Sequence, residues 1–337
     1  MTVLGIETSC DETSVAILNS DEVIVNLISS QDFHKLYGGV VPELSSRAHL
    51  EQIVPLTREA IRKAGLTPDD IDVVTATAGP GLIGALLVGF TFAKHFAWSI
   101  GKPFVPVNHI EGHIFSGFLM PEKPVYPLLV LTVSGGHTLL TLVESETRIR
   151  FLGSTIDDAA GEAFDKVAKM TGLGYPGGPK IQNAAAKAIR KDIVFPVANL
   201  KQEFHFSFSG LKTSVLRYVQ KNFPDGVVPE EELNEIAFGF QDSVVKALSK
   251  NMEKAIKTFK PGSLSLNGGV AANSVIRNEV IRLGEKYNIP AVIPAFEYCG
   301  DNAAMIALRG KQLFDAGEKF TRDSEPFPAF YSNYLYS

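Results

Sequence analysis

The chain has 337 residues, 45% of them hydrophobic, which is enough for two globular domains with a core each. Its formal net charge is −5 and its pI is near 5.9, so no global basic field draws in nucleic acid; any RNA contact must use a local patch or a partner. Only Cys10 and Cys299 occur, which excludes a disulfide framework, and nothing before Val3 reads as a cationic signal region, so the expected location is the cytoplasm.

Val3, Leu4 and Ile6 lead through a small, acidic turn, Glu7 to Ser14, into a second apolar run, Val15 to Leu18. Two β-rich runs joined by such a turn predict a hairpin whose amides can face an anion. Of its acidic residues, Glu7 and Asp11 are placed to hold a cation or serve a base, whereas Glu12 also fits a solvated turn. Residues 43–64 predict an amphipathic helix that Pro55 should kink or divide. Thr67 then caps a turn into a strand at Val73–Ala78, which breaks at Gly79, Pro80 and Gly81 before a helix from Leu82. Residues 76–93 lack charge, but Gly79, Pro80, Gly81, Gly84 and Gly89, with Lys94 and His95 at the close, fit a buried helix rather than a membrane span. No membrane association is expected.

After a short strand at 104–107, NHIEGH opens a helix running to about Met120. His109 and His113 lie four apart on one helical face, a spacing that suits one shared metal ion or a pair of cleft-lining histidines. A zinc protease would place glutamate directly after the first histidine; Ile110 stands there instead, which argues against that reading.

Pro121, Pro124 and Pro127 mark the lobe boundary, with an N-terminal lobe expected over 1–124 and a C-terminal lobe over 125–337. The second lobe repeats the first: Val130, Leu131 and Val133 run into Ser134, Gly135, Gly136 and His137, then out through Leu139 to Val143. A helical insert follows at about 155–260, with helices predicted over 156–170, 180–191, 209–222 and 229–259. The Leu264–Asn267 strand then breaks into Gly268 and Gly269 before a helix over 271–287, a strand at 291–294 and a last helix over 301–314. The Pro-rich stretch from Ser324 to Ser337 is the one segment expected to be disordered. Each lobe thus carries a hairpin and a glycine-led helix, which predicts a nucleotide held in a cleft between duplicated α/β lobes.

Asp301, in the segment Cys299–Asn302, is the best third ligand for His109 and His113; two imidazoles and a carboxylate suit Fe(II) or Zn(II). Asp165 on the GEAFDKVAK helix and the YPGGP loop with Gly178 are candidates for ribose and base. Asn273 is either a ligand contact or a helix cap. Lys187, Arg190, Lys191 and Lys212, with Arg217 beyond, are the local cations available to RNA.

GIETSCDETSVAI, GPGLIGALLVG, NHIEGH, VSGGHT, GEAFDKVAK, YPGGP, NGGVAAN and CGDNAAMIA, in this order from Gly5 to Ala307, closely resemble the tRNA threonylcarbamoyladenosine transferase family, its bacterial branch in particular. The resemblance implies the actin, hexokinase and Hsp70-type fold. It also implies transfer of threonylcarbamoyl from threonylcarbamoyl-AMP to the exocyclic amine of the adenosine beside the anticodon, in tRNAs reading codons that begin with A. By matching motifs, His109, His113 and Asp301 would bind iron, or Zn(II) in purified protein; Val133, Ser134, Gly135, Gly136, His137, Asp165, Gly178 and Asn273 would hold the adenylate. Archaeal and eukaryotic relatives often carry an acidic residue where this chain has Gln182. Asp11 is the candidate for taking the amine proton. Implied partners are tRNA, a shorter degenerate paralogue (TsaB-like) and a small P-loop ATPase (TsaE-like), with a docking face on the helices at 43–64 or 82–99. A small-molecule kinase and a nucleotide-gated scaffold are the rival readings on the same fold, and neither uses the histidine pair.

Overall fold

The computed structural model describes residues 1–318, 320 and 323–329, the Lys35 side chain excepted. Packing divides the chain into two units: Met1–Lys123 with the described part of Pro294–Ser337, and Pro124–Ile293.

The first unit is built on a five-stranded sheet of order β3-β2-β1-β4-β5. Strands β1 (Thr2–Glu7) and β2 (Glu12–Asn19) form the expected hairpin, with Ile6 opposite Val15 and Glu7 opposite Ser14. Both are near-continuous apolar runs because both faces of the sheet are covered. Leu4, Ile6, Val15 and Ile17 pack with Ile53, Ala60 and Ile61 of α1 (Pro42–Lys63) and with Ala93 and Ala97 of α2 (Ile83–Ser99). On the opposite face Val3, Ala16, Leu18, Val105 and Val107 meet the buried run Ala303–Leu308 of α9 (Ala303–Asp315). Burying each such aliphatic side chain contributes roughly 1.5–3 kcal/mol. The sheet is completed by β3 (Glu22–Ser30), β4 (Val73–Gly79) and β5 (Phe104–Asn108), of which β4 and β5 run parallel to β1.

Several expectations need correction. Helix α1 runs unbroken through Pro55, which lies on its exposed face, where the carbonyl left without an amide partner can face solvent. Edge strand β3 had no counterpart in the predicted elements. The last helix, assigned by sequence to the C-terminal lobe, packs on the first sheet: Ser14 Oγ accepts from the Ala303 amide at 2.9 Å, and Gly5 of β1 leaves the room that brings Ala303 and Ala307 against the strand. The Pro-rich stretch is partly ordered. Phe327 N donates to Ala78 O at 2.8 Å, Gly81 N to Pro328 O at 3.2 Å, and Lys94 Nζ to Ser324 O at 3.1 Å; residues 330–337 lie outside the described residues.

The second unit repeats the plan as β8-β7-β6-β9, with β6 (Leu128–Val133), β7 (Thr138–Ser145) and β8 (Arg148–Ser154) antiparallel and β9 (Ser263–Asn267) parallel to β6. The strand expected at 291–294 contracts to a single parallel bridge between Ala291 and Leu264. Pro290 and Pro294 flank it, and neither has an N–H for a ladder.

The insert holds α4 (Ala160–Met170), α5 (Gly177–Ala185), α6 (Ser209–Asn222) and α7 (Glu230–Phe259), and α8 (Ser274–Tyr287) follows β9. Helix α5 starts earlier and stops earlier than predicted. Asp165 Oδ1 accepts from Gly177 N at 2.7 Å at its start. Beyond its end the buried Glu235 carboxylate takes the amides of Ile189, Arg190 and Lys191 at 2.6–2.9 Å, which removes them from a helical ladder. No helix among the described residues is long and apolar enough to cross a membrane; residues 76–93 form the end of β4, the glycine turn and the first part of α2.

Candidate metal centre and glycine hairpin

Asn108 ends β5 and caps α3 (His109–Phe115), its side-chain oxygen accepting from Ile110 N at 2.9 Å and Glu111 N at 3.3 Å. That cap sets His109 in the first turn and His113 one turn on, their ring centroids 4.8 Å apart and the planes at 88°. Asn302 caps α9 in the same way through Met305 N, which fixes Asp301 just ahead of the helix. Asp301 Oδ1 lies 3.1 Å from His113 Nε2 and 3.5 Å from His109 Nε2. The three side chains each offer one ligand atom, and these atoms lie within 4.8 Å of one another. Two imidazole nitrogens and a carboxylate on one side, with Asp301 partly exposed, fit a divalent transition ion with coordination positions left open.

Glu7, fully buried at the end of β1, faces the far side of His109. Its Oε2 lies 3.1 Å from His109 Nδ1 and accepts from Thr77 Oγ1, while Oε1 accepts from Ser9 N. Burial alone would raise the Glu7 pKa; the adjoining His109 outweighs it and holds the carboxyl below its usual range. Burial likewise disfavours the charged imidazole of His109, but the carboxylates of Asp301 and Glu7 push its pKa up to about 9 in the ion-free protein. Glu12 is pushed up to about 9 by burial and by Asp301 and Asp11, with which it shares a hydrogen bond. Half-buried and hydrogen-bonded to Asp11, it is not a freely solvated turn residue. The Cys10 thiol is pushed up by burial and Asp11, which leaves it unreactive. Glu111 turns away from the histidines to Arg309 of α9, at 2.6 Å.

The second hairpin closes on itself: Ser134 N donates to His137 O at 2.8 Å and His137 N to Ser134 Oγ at 3.1 Å. After Val133, which ends β6, Gly135 and Gly136 are exposed with open space around them, and Gly178 at the start of α5 is similarly open. Half-buried Asp165 spends one oxygen on Gly177 N; burial raises its pKa against that hydrogen bond. Asn273 caps α8, accepting from Val275 N and Ile276 N, and donates to Gln241 Oε1 at 2.9 Å; Gln182 Oε1 accepts from Ser274 N nearby.

Of the cations considered for RNA, Lys187 pairs with Glu230 at 3.4 Å and Arg190 binds Glu232 bidentately at 2.7 and 2.9 Å. Lys212 is held by Asp158, which also takes Lys166, while Lys191 lies over the Phe238 ring. On α1 and α2, Leu50, Val54, Ile83, Leu87 and Trp98 are large apolar side chains left exposed.

The sequence profile of the tRNA N6-adenosine threonylcarbamoyltransferase family, TsaD, matches residues 22–308. A protein of that name from Carboxydothermus hydrogenoformans is 48% identical over 330 residues, covering 97% of this chain and 96% of the relative. Another from Thermosipho africanus is 50% identical over 319 residues, covering 94% and 96%. Among solved structures, HypF from T. kodakarensis superposes with a TM-score of 0.64 at 15% identity, over 94% of this chain and 48% of that one. The activator of 2-hydroxyisocaproyl-CoA dehydratase from Clostridium difficile gives 0.51 at 15% identity, over 95% and 99%. At such identities these two speak for the fold alone, which is the actin and hexokinase type.

Proposed function

Because this chain belongs to the tRNA N6-adenosine threonylcarbamoyltransferase family, we propose that it moves threonylcarbamoyl from threonylcarbamoyl-AMP to the N6 amine of the adenosine beside the anticodon, in tRNAs reading codons that begin with A, releasing AMP. The observation that carries the reading is the convergence of His109, His113 and Asp301, drawn from two distant parts of the sequence, in a chain whose relatives match along almost its whole length. A kinase or a nucleotide-gated scaffold on this fold has no use for that triad.

His109, His113 and Asp301 would hold Fe(II), with Zn(II) as a substitute ion. Such an ion supplies Lewis acidity and a template for the threonylcarbamoyl group. An aromatic exocyclic amine is a poor nucleophile, so the acyl group must arrive activated, and a mixed anhydride with AMP has a good leaving group. The turn Val133–His137 would offer the Gly135 and Gly136 amides and the Ser134 hydroxyl to the departing phosphate, and Asp165 and Gly178 would take ribose and base. Asn273, already committed as a cap, would act through the start of α8 as much as by direct contact. Asp11, hydrogen-bonded to Glu12, is the candidate acceptor of the amine proton. The target base sits in a single-stranded loop and can be splayed out without melting a duplex.

Lys187, Arg190 and Lys191 would contact tRNA phosphate, the first two by exchanging carboxylate partners. Lys212 is tied to Asp158, so its part would be to hold the insert. The exposed apolar side chains of α1 and α2 are the proposed docking face for the shorter paralogue, with the small P-loop ATPase as a further partner and the cytoplasm as the site of action.

The test is label transfer from threonylcarbamoyl-AMP to unmodified tRNA, with and without those partners. Label in tRNA that is lost in His113→Ala, together with the ion, supports the reading. No label under either condition, with partners verified on a known transferase, overturns it, and so does a His113→Ala protein that keeps full transfer and its ion.

A further inference from the structure

We propose that Glu7 is a positioning residue that fixes the proton of His109 on Nδ1 and so keeps the Nε2 lone pair directed at the ion. The inference rests on the metal reading above. Glu7 is 0% exposed and faces only donors or groups able to donate: Ser9 N at Oε1, and Thr77 Oγ1 and His109 Nδ1 at Oε2. Its carboxylate is an acceptor at both oxygens, and a neutral imidazole carries its single proton on one nitrogen. Two oxygens face Nδ1, the acceptor-only Glu7 Oε2 at 3.1 Å and the Ser9 hydroxyl, which can also accept, at 3.2 Å; the carboxylate places the proton there, and Nε2, 3.5 Å from Asp301, is left as the ligand atom.

The two histidines are unequal in this respect. His113 Nδ1 is buried with no hydrogen-bond partner among the described residues, so no carboxylate there holds its proton as Glu7 does for His109. His109 is thus the pre-set ligand and His113 the adaptable one. Glu7 comes from β1 and Thr77 from β4, so the proton on His109 is set by the central strands of the sheet rather than by the helix that carries the ring.

Glu7→Gln tests this, because an amide nitrogen at either oxygen position meets a donor. At Oε2 it would turn Nδ1 into an acceptor and move the imidazole proton onto Nε2, which blocks the ligand atom. Zn(II) is the probe, its dissociation constant read by chelator competition at one pH, with melting midpoints of the ion-free proteins measured alongside. Thr77→Val is the control, since it removes a donor from the same oxygen and leaves the Glu7 charge in place. We expect Glu7→Gln to bind Zn(II) about 10–100-fold more weakly. Thr77→Val should lower the melting midpoint with at most about a threefold change in affinity.

Unchanged affinity in Glu7→Gln overturns the proposal alone, and an equal loss in both variants makes Glu7 structural. A wild-type chain that takes up no Zn(II) overturns the metal reading and this proposal together. If Glu7→Gln does not fold, nitrogen-15 spectra of the Zn(II)-loaded wild type decide. His109 bound through Nε2 with Nδ1 protonated supports the proposal, and binding through Nδ1 overturns it.

Discussion

Arg309 of α9 meets Glu111 of α3 at 2.6 Å, with its guanidinium carbon 4.0 Å from the centre of the Phe115 ring. Arg309 is 3% exposed and Glu111 14%, so the pair is largely removed from water and is backed by an aromatic face. It joins the helix that carries His109 and His113 to the helix that Asp301 precedes. The glutamate of NHIEGH thus spaces the two ligand-bearing elements instead of serving chemistry, which explains why the protease reading fails. Glu111→Ala would take this carboxylate from a buried guanidinium and should cost about 1–3 kcal/mol in urea unfolding. A loss under about 1 kcal/mol would mean that the pair does not hold these helices together.

Gly161 in α4 lies so close to the second hairpin that an added Cβ would sit 2.5 Å from Ser134 O. Gly161→Ala should displace the turn, lower stability by about 1–3 kcal/mol and weaken binding of a non-hydrolysable adenylate analogue more than tenfold. Calorimetric titration on the folded variant checks this; binding equal to wild type would remove the hairpin from the adenylate site.

Glu253 of α7 bonds Lys286 at 2.8 Å and Tyr287 in α8, which together hold its pKa down to about 2. A carboxyl whose pKa is depressed on folding contributes stability that is complete above its unfolded value, near 4.5, and is lost as pH falls from there toward 2. Glu253→Gln should therefore unfold more readily than wild type at neutral pH and show a shallower loss of stability across that acid window. Denaturation midpoints at pH 7, 4 and 3 give the comparison, and parallel curves would refute it.

Lys191 and Lys212 separate the proposed phosphate contact from a structural cation. Lys191→Ala should weaken tRNA binding and reduce the slope of log affinity against log salt by about one. Lys212→Ala frees Asp158, held in common with Lys166, and should lower the melting midpoint with the slope unchanged. Filter binding across a salt series distinguishes the two.

The features visible from sequence were those carried by local spacing. Hairpins with continuous apolar runs, the i, i+4 histidines and the helix cap offered at Asn273 all depend on residues a few positions apart. What escaped depends on long-range packing. Edge strands β3 and β8 alternate in exposure and lack the buried run that marked β1 and β6. The attachment of α9 to the first sheet turns on room left at Gly5, nearly 300 positions away from Ala303 in the chain. Glu7 and Glu12 read as two acids of one turn, yet the adjoining His109 holds the Glu7 carboxyl below its usual range while burial and neighbouring carboxylates push Glu12 up.

The two strand-to-helix glycine turns differ in what occupies them. In the first, Gly79 at φ 146° admits the chain's own Phe327, and the Gly81 amide is spent on Pro328. In the second, Gly269 is open. A peptide from the same chain thus fills the first turn, while the second keeps Gly269 open. Residues 327–328 are thereby part of the first sheet's architecture, and a truncation that removes them takes a hydrogen bond from the end of β4 and another from the turn into α2.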